Sequence, residues 1–213
     1  MGVASFAFMY RSVWLGKVAT LGAMVLIVAA TEEESSGIDG YPLLVTGVGT
    51  SNCAISLMEY LWHNRPDHII NIGTAGSLSG VHGIFEIERV VRHDFDADAI
   101  AKITGKPMVN ALTLSTTGVY PNARLATGDA FISDQVARDK LAKQADLVDM
   151  EGHVIALIGW RYGIPVTLLK QVSDNADQDA ARSWADAAKA GAEELAEATF
   201  KVLALLENTK KAH

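Results

Sequence analysis

The stretch ADLVDMEGHVIALIGWRYGIPVTLLKQVSDNAD, residues 145–177, holds the alternation that decides the fold. A strand-type apolar run over Leu147–Met150 leads into apolar residues at helical spacing over Glu151–Tyr162. Gly163 and Pro165 stop that helix. A second continuous apolar run, Val166–Val172, follows directly. Strand, helix and strand, with Val/Leu-rich strands that do not alternate, predict a sheet covered on both faces. Acids stand at the element ends: Asp149 and Glu151 at the first junction, Asp174 and Asp177 after the second run.

The same alternation runs outward in both directions. Further strands are predicted at Val25–Ala29, Leu43–Thr46, His68–Ile72, Ile87–Val91 and Ala123–Thr127. Further helices are predicted at Asn52–His63, at Ser133–Gln144 with Ser133 and Asp134 as caps, and at Ala180–Leu206 with one apolar face. The implied fold is α/β: three layers, α/β/α, around a mixed, largely parallel central sheet. Residues 24–213 read as one domain and residues 1–23 as an N-terminal extension.

That extension is apolar, but Arg11 and Lys17 interrupt it, so no charge-free run reaches the roughly 18 residues of a spanning helix. A secretory reading, with a basic region to Lys17 and small residues at Ala29 and Ala30, competes with MVLIVAA as a first core strand. The strand reading is preferred, because cleavage after Ala30 would remove it from the sheet. No membrane partner is expected.

With 213 residues, 49% hydrophobic and 20% charged, the chain reads as globular. Its 25 acids against 18 bases give a net charge of -7, which argues against nucleic acid as a partner. The single cysteine, Cys53, lies on an apolar helix face in SNCAISLMEYL. It reads as a buried small hydrophobe in a reducing, cytoplasmic compartment.

Ligands of such sheets bind beyond the carboxyl ends of the strands. Glu32–Glu34 follow the first strand, Glu151 the LVDM strand and Asp174 the VTLLKQV strand, so three strands deliver carboxylates to one edge. For any one of these acids the simpler reading is a chain turning polar at its strand end. Two glycine-rich turns, TGVGTSN (46–52) and NIGTAGSL (71–78), each follow a strand. Glycine, including Gly49 of the first turn, lets backbone N–H groups approach a ligand closely. Neither turn carries a P-loop lysine or the full dinucleotide fingerprint.

The motifs ATEEES, TGVGTSN, NIGTAGSL, ATGDAFISD, VDMEG and LKQVSDNAD, in this order, resemble the purine nucleoside phosphorylase-like superfamily. Within it the chain most resembles the 5′-methylthioadenosine/S-adenosylhomocysteine nucleosidases, over about residues 24–206. The resemblance implies a cofactor-free nucleosidase acting on purine nucleosides, with 5′-thio-substituted adenosines expected, and a homodimer whose pocket a neighbour's loop completes. It implies Glu34 as the residue that activates water and Asp174 as the acid that protonates the leaving purine. Glu151 then holds the ribose hydroxyls and Met150 packs on the sugar or base. Phe131 and Ile132 contact the purine, and Thr74 lies near the water.

The chemistry agrees. Glycosidic cleavage builds positive charge on the sugar and negative charge on the purine. A protonated Asp174, with its proton held by burial, and an ionised Glu151, favoured by a helix dipole, suit those two needs. The superfamily's phosphorylases carry arginines where this chain has Asn71 and the run Thr31–Glu34, so water is the expected nucleophile and phosphate the alternative. A binding protein that has lost the chemistry is a further alternative.

Two departures from the family stand out. The connection SSGIDGYPLLVT (35–46) is short where nucleosidases have a longer hairpin-like insertion, which predicts a smaller sheet and a displaced Glu34. His153 replaces a small residue and either narrows the pocket floor or is inert. In RHDFDADAI (92–100), strand alternation would put Asp94, Asp96 and Asp98 on one face. With His93 they can hold a divalent metal. The other readings of this cluster are a wall of the site or dimer contact, and a solvated loop. No metal site is assigned.

Overall fold

The structure, a computed structural model, describes residues 24–176 and 180–211. The proposed extension at residues 1–23, and Asp177, lie outside the described residues. The elements run β1 (Val25–Ala29), β2 (Leu43–Val45), α1 (Thr50–His63), β3 (His68–Ser77), β4 (Ile84–Arg92), α2 (Ala97–Thr104) and β5 (Ala111–Thr113). They continue with β6 (Asn122–Thr127), α3 (Gln135–Leu141), β7 (Leu147–Asp149), α4 (Gly152–Tyr162), β8 (Val166–Asp174) and α5 (Ala180–Lys211).

Strand β1 reads VLIVA because both of its faces are covered. Leu26 and Val28 point into a core shared with Leu57 of α1 and Ile155 of α4. Val25 and Ile27 point the other way, against Leu195, Val202 and Leu203 of α5. The period of two along one strand thus produces the three layers. A third cluster, with Val91, Ala126 and Val148, lies under Leu141 of α3. Each fully buried leucine or isoleucine here contributes on the order of 2 kcal/mol.

The sheet has eight strands in the order β2-β1-β3-β7-β6-β4-β5, with β8 pairing both β3 and β4. It is mixed, with parallel pairs predominating; β3/β7, β4/β5 and β4/β8 are antiparallel. Strands β3, β7, β6, β4 and β8 close a ring, because β3 and β4 change partners along their length. Register shifts at Ala75/Gly76 and Ile87/Arg89 mark the bends that allow the changes. The ring puts the ends of β3, β7 and β8 and the turn after β1 within reach of one another.

Two expectations are corrected. NIGTAGSL is not a turn: β3 continues to Ser77. Its glycines serve close approach. A Cβ on Gly73 would lie 3.1 Å from Glu34 Oε1, and one on Gly76 would lie 3.0 Å from Asp174 Oδ1. The RHDFDADAI segment is not an alternating strand either. Asp96 accepts from Ala99 N–H at 2.9 Å and caps α2, and Asp94 pairs with Arg92 at 2.7 Å, so the three aspartates do not share a strand face. After the short connection that follows Glu34, Ile38 is pinned under α5, and Glu34 is buried. Among the described residues, no helix is long and apolar enough to cross a membrane.

Candidate active site

Helix α4 begins in an unusual way. Its N-cap residue, Glu151, makes no capping bond with its side chain. Asp149 Oδ2 takes the Gly152 N–H at 2.8 Å and Thr127 Oγ1 takes the His153 N–H at 3.0 Å. Two other side chains therefore satisfy the first turn, and Glu151 is left to face a cavity.

That cavity, about 210 Å³, lies at the carboxyl ends of the ring strands. Glu34, Thr74, Glu151 and Asp174 line it together with Met150, Phe131 and Ile132, and among the described residues no lysine or arginine is in the lining. Val48 and Phe131, 41% and 48% exposed, stand at its mouth. Gly49 lies just outside the lining, in a left-handed conformation with φ 95° at the start of α1. Its N–H donates to Glu151 Oε1 at 2.6 Å. His153 is buried and off the cavity, so it narrows no floor.

Glu34 is 5% exposed. Its Oε1 accepts from the Thr74 N–H at 2.7 Å and the Thr74 hydroxyl at 2.8 Å, and its Oε2 accepts from the Ala30 N–H at 3.2 Å. Asp174 accepts from the Ala176 N–H at 2.8 Å and from the Ser173 hydroxyl at 2.6 Å. Asp129 closes the start of α1, accepting from Thr50 N at 2.7 Å and Thr50 Oγ1 at 2.6 Å. This ties the loop that carries Phe131 to the turn that holds Glu151.

One participant was not singled out in the sequence. Lys170, in the middle of β8, is buried and pairs with Asp149 at 2.9 Å. A lysine inside the apolar run VTLLKQV was the available signal, since a buried ammonium requires a partner. Burial pushes its pKa down, but Asp149, Glu151 and Glu34 outweigh that and hold it above the usual lysine range. Cys53 beneath the site is inert. Burial, then the charge of Glu151, pushes its thiol up to about 12.

The expected ionised Glu151 is also corrected. Burial first, then Asp149, raises its pKa from 4.5 to about 8, against the opposing pull of Lys170 and the Gly49 N–H. The helix dipole does not overcome desolvation among neighbouring acids. The folded protein therefore binds this proton more tightly than the unfolded chain does. Its contribution to stability is complete below pH 4.5 and is lost as pH rises through about 8. Glu151→Gln should remove from the stability profile a slope of up to about 1.4 kcal/mol per pH unit within that window. Urea unfolding of both proteins from pH 5 to pH 8.5 checks it; parallel profiles would show that Glu151 is not the group.

Comparison with known proteins gives one consistent picture. The model of the phosphorylase superfamily matches residues 40–206. A 5′-methylthioadenosine/S-adenosylhomocysteine nucleosidase of Marinomonas sp. (strain MWYL1) is 27% identical over 173 residues, 71% of this chain and 75% of that one. Another, from Geobacillus kaustophilus (strain HTA426), is 25% identical over 213 residues, covering 89% and 91%. Among solved structures, the nucleosidase of that name from Helicobacter pylori, complexed with a substituted pyrrolidinol, superposes with a TM-score of 0.74. It is 20% identical and covers 85% of this chain and 98% of its own.

Proposed function

The chain belongs to the phosphorylase superfamily, and from that premise we propose that it is a nucleosidase. It hydrolyses the N-glycosidic bond of purine nucleosides, with 5′-thio-substituted adenosines as the substrate class. The carrying observation is that three acids from distant segments, Glu34, Glu151 and Asp174, line one cavity whose lining, among the described residues, has no cation.

In the proposed reaction the purine stacks by Phe131 and Ile132, and Met150 packs on the sugar. Water attacks the anomeric carbon as the bond to the purine breaks. Glu34, oriented by Thr74, takes the water's proton. Asp174 gives a proton to the ring nitrogen that receives the departing electron pair. Glu151 accepts from the ribose hydroxyls and, once ionised, stabilises the developing sugar cation. Lys170 is engaged by Asp149, so a phosphate dianion here would meet carboxylates with no free cation among the described lining residues, which favours water. No cofactor takes part, and the single cysteine supports a reducing, cytoplasmic setting.

The test is a panel of methylthioadenosine, S-adenosylhomocysteine, 5′-deoxyadenosine, adenosine and a futalosine-type nucleoside, each with and without phosphate. Release of base with a free ribose derivative, independent of phosphate, is expected. Ribose 1-phosphate as co-product would identify a phosphorylase, and tight binding without product a nucleoside-binding protein.

A homodimer is part of the same proposal. Ile55, Met58 and Trp62, 61%, 38% and 84% exposed, form an apolar stripe along α1. The helix starts beside Val48 at the cavity mouth. A second copy seated on this stripe would cover the mouth, which favours this occupant over an unrelated partner. Ile55→Glu with Trp62→Glu should weaken self-association by at least about 2 kcal/mol and raise KM more than it lowers kcat. Light scattering on the wild type decides first: a monomer at micromolar concentration would end the dimer reading.

A further inference from the structure

Beneath the sugar end of the cavity three buried carboxyl groups share one buried ammonium. Glu34, Asp149 and Glu151 are 5%, 6% and 7% exposed, and Lys170 is 1% exposed. The lysine is not shared evenly. Asp149 is fixed by the Thr127 hydroxyl at 2.5 Å and the Gly152 N–H at 2.8 Å, and in that position it takes Lys170 Nζ at 2.9 Å. Glu34 has three hydrogen-bond donors of its own. Glu151 has the Gly49 N–H.

The other groups around Glu151 do not relieve it. Cys53 on α1 is a neutral thiol and Asp174 at the end of β8 is another acid. Asp129 at the start of α1 is engaged by Thr50. Three ionised carboxylates against one ammonium leave an excess of negative charge on buried side chains, which such groups discharge by taking up a proton. The acid with the fewest donors is where that proton goes.

We propose that Asp149 and Lys170 are positioning residues that act through Glu151: Asp149 keeps the lysine to itself, so that a proton balances Glu151 until positive charge develops on the sugar. The proposal rests on the reading that Glu151 faces the ribose. It gives the pair a role beyond structure, because the site stays neutral toward an uncharged nucleoside and becomes anionic when the cationic transition state forms. Releasing the proton to solvent or to bound water completes the change, with no redox partner.

The test follows Glu151 itself. Full-length protein carrying ¹³C at the glutamate carboxyl carbons is titrated by NMR, with Glu151→Gln identifying the resonance. In Asp149→Asn the amide oxygen can still accept from Gly152, and the lysine is released toward Glu151. The titration midpoint of Glu151 should fall by at least about one pH unit, and the acid limb of kcat/KM should move with it. Lys170→Met should move both upward, and Lys170→Arg should restore them. If Lys170→Met does not fold, Asp149→Asn and Lys170→Arg still decide. An unchanged midpoint in Asp149→Asn overturns the proposal. Absence of hydrolysis in every protein, wild type included, overturns the functional reading, while the NMR midpoints still report on the pair.

Discussion

Asp174→Asn is expected to lower turnover at least about 100-fold, the low end of what a general acid supplies, with little change in unfolding. The carboxyl sits at the end of β8 over Gly76, where a Cβ would come within 3.0 Å of it. Its Oδ1 accepts the Ala176 N–H, a bond an asparagine oxygen can keep, so the turn after β8 should persist. An amide can hydrogen-bond a purine nitrogen but cannot hand over a proton as the bond to the sugar breaks. The loss should therefore depend on the leaving group. Natural purines should suffer in full, whereas a riboside whose leaving group is stable as an anion should suffer much less. Burst-free steady-state kinetics on both substrate types, beside a thermal melt, make the comparison. Near-wild-type hydrolysis of adenosine derivatives by this variant would remove Asp174 from its role.

The legibility of this chain follows the range of its interactions. Strand β1 was readable to the residue because VLIVA reports a local fact, burial on both faces. The end of α4 at Gly163, in a left-handed conformation with φ 66°, was readable for the same reason. Helix α2 was not: Asp96, read as one tooth of an alternating strand, is a helix cap, and eight residues are too few for a clear period. β5, with three residues, has no pattern and exists because β4 offers it an edge. The glycines of NIGTAGSL read as a turn that lets the backbone approach a ligand, whereas what comes close to them is a carboxylate brought in from another segment.

In the site, the acids at strand ends were visible, and so was the order of motifs. The pairing of Lys170 with Asp149 was not visible, because it depends on the order β7-β3-β8 across the ring. The ionisation of Glu151 was misread for a related reason. Its local setting, a helix start, favours the anion, while its tertiary setting among Asp149 and Glu34 opposes it. Local signals gave way wherever several segments converge, which is where the candidate chemistry lies.

Glu34→Gln tests the other half of the reaction, and turnover should fall about 10²–10⁴-fold, the range for a lost general base. The nucleophile is activated only if this carboxylate can accept a proton from water, and an amide cannot. Its surroundings sharpen the experiment. The oxygens of Glu34 accept from Thr74 N–H, Thr74 hydroxyl and Ala30 N–H, and none of these bonds needs the charge to hold the side chain in place. Glutamine must turn its NH2 toward one of those donors, which leaves a donor facing a donor and costs about 1–3 kcal/mol of stability. The loss of activity should far exceed the loss of folded protein, and it should fall on kcat with KM nearly unchanged, because in the proposed reaction the purine and the ribose hydroxyls are held by other residues. Thr74→Val provides the control: it removes one donor to Oε1 while keeping the carboxylate, so its loss of activity should be much smaller. Equal defects in the two variants would mean that Glu34 acts only as part of the Thr74 network. A Glu34→Gln enzyme with wild-type kcat would mean that the water is activated elsewhere.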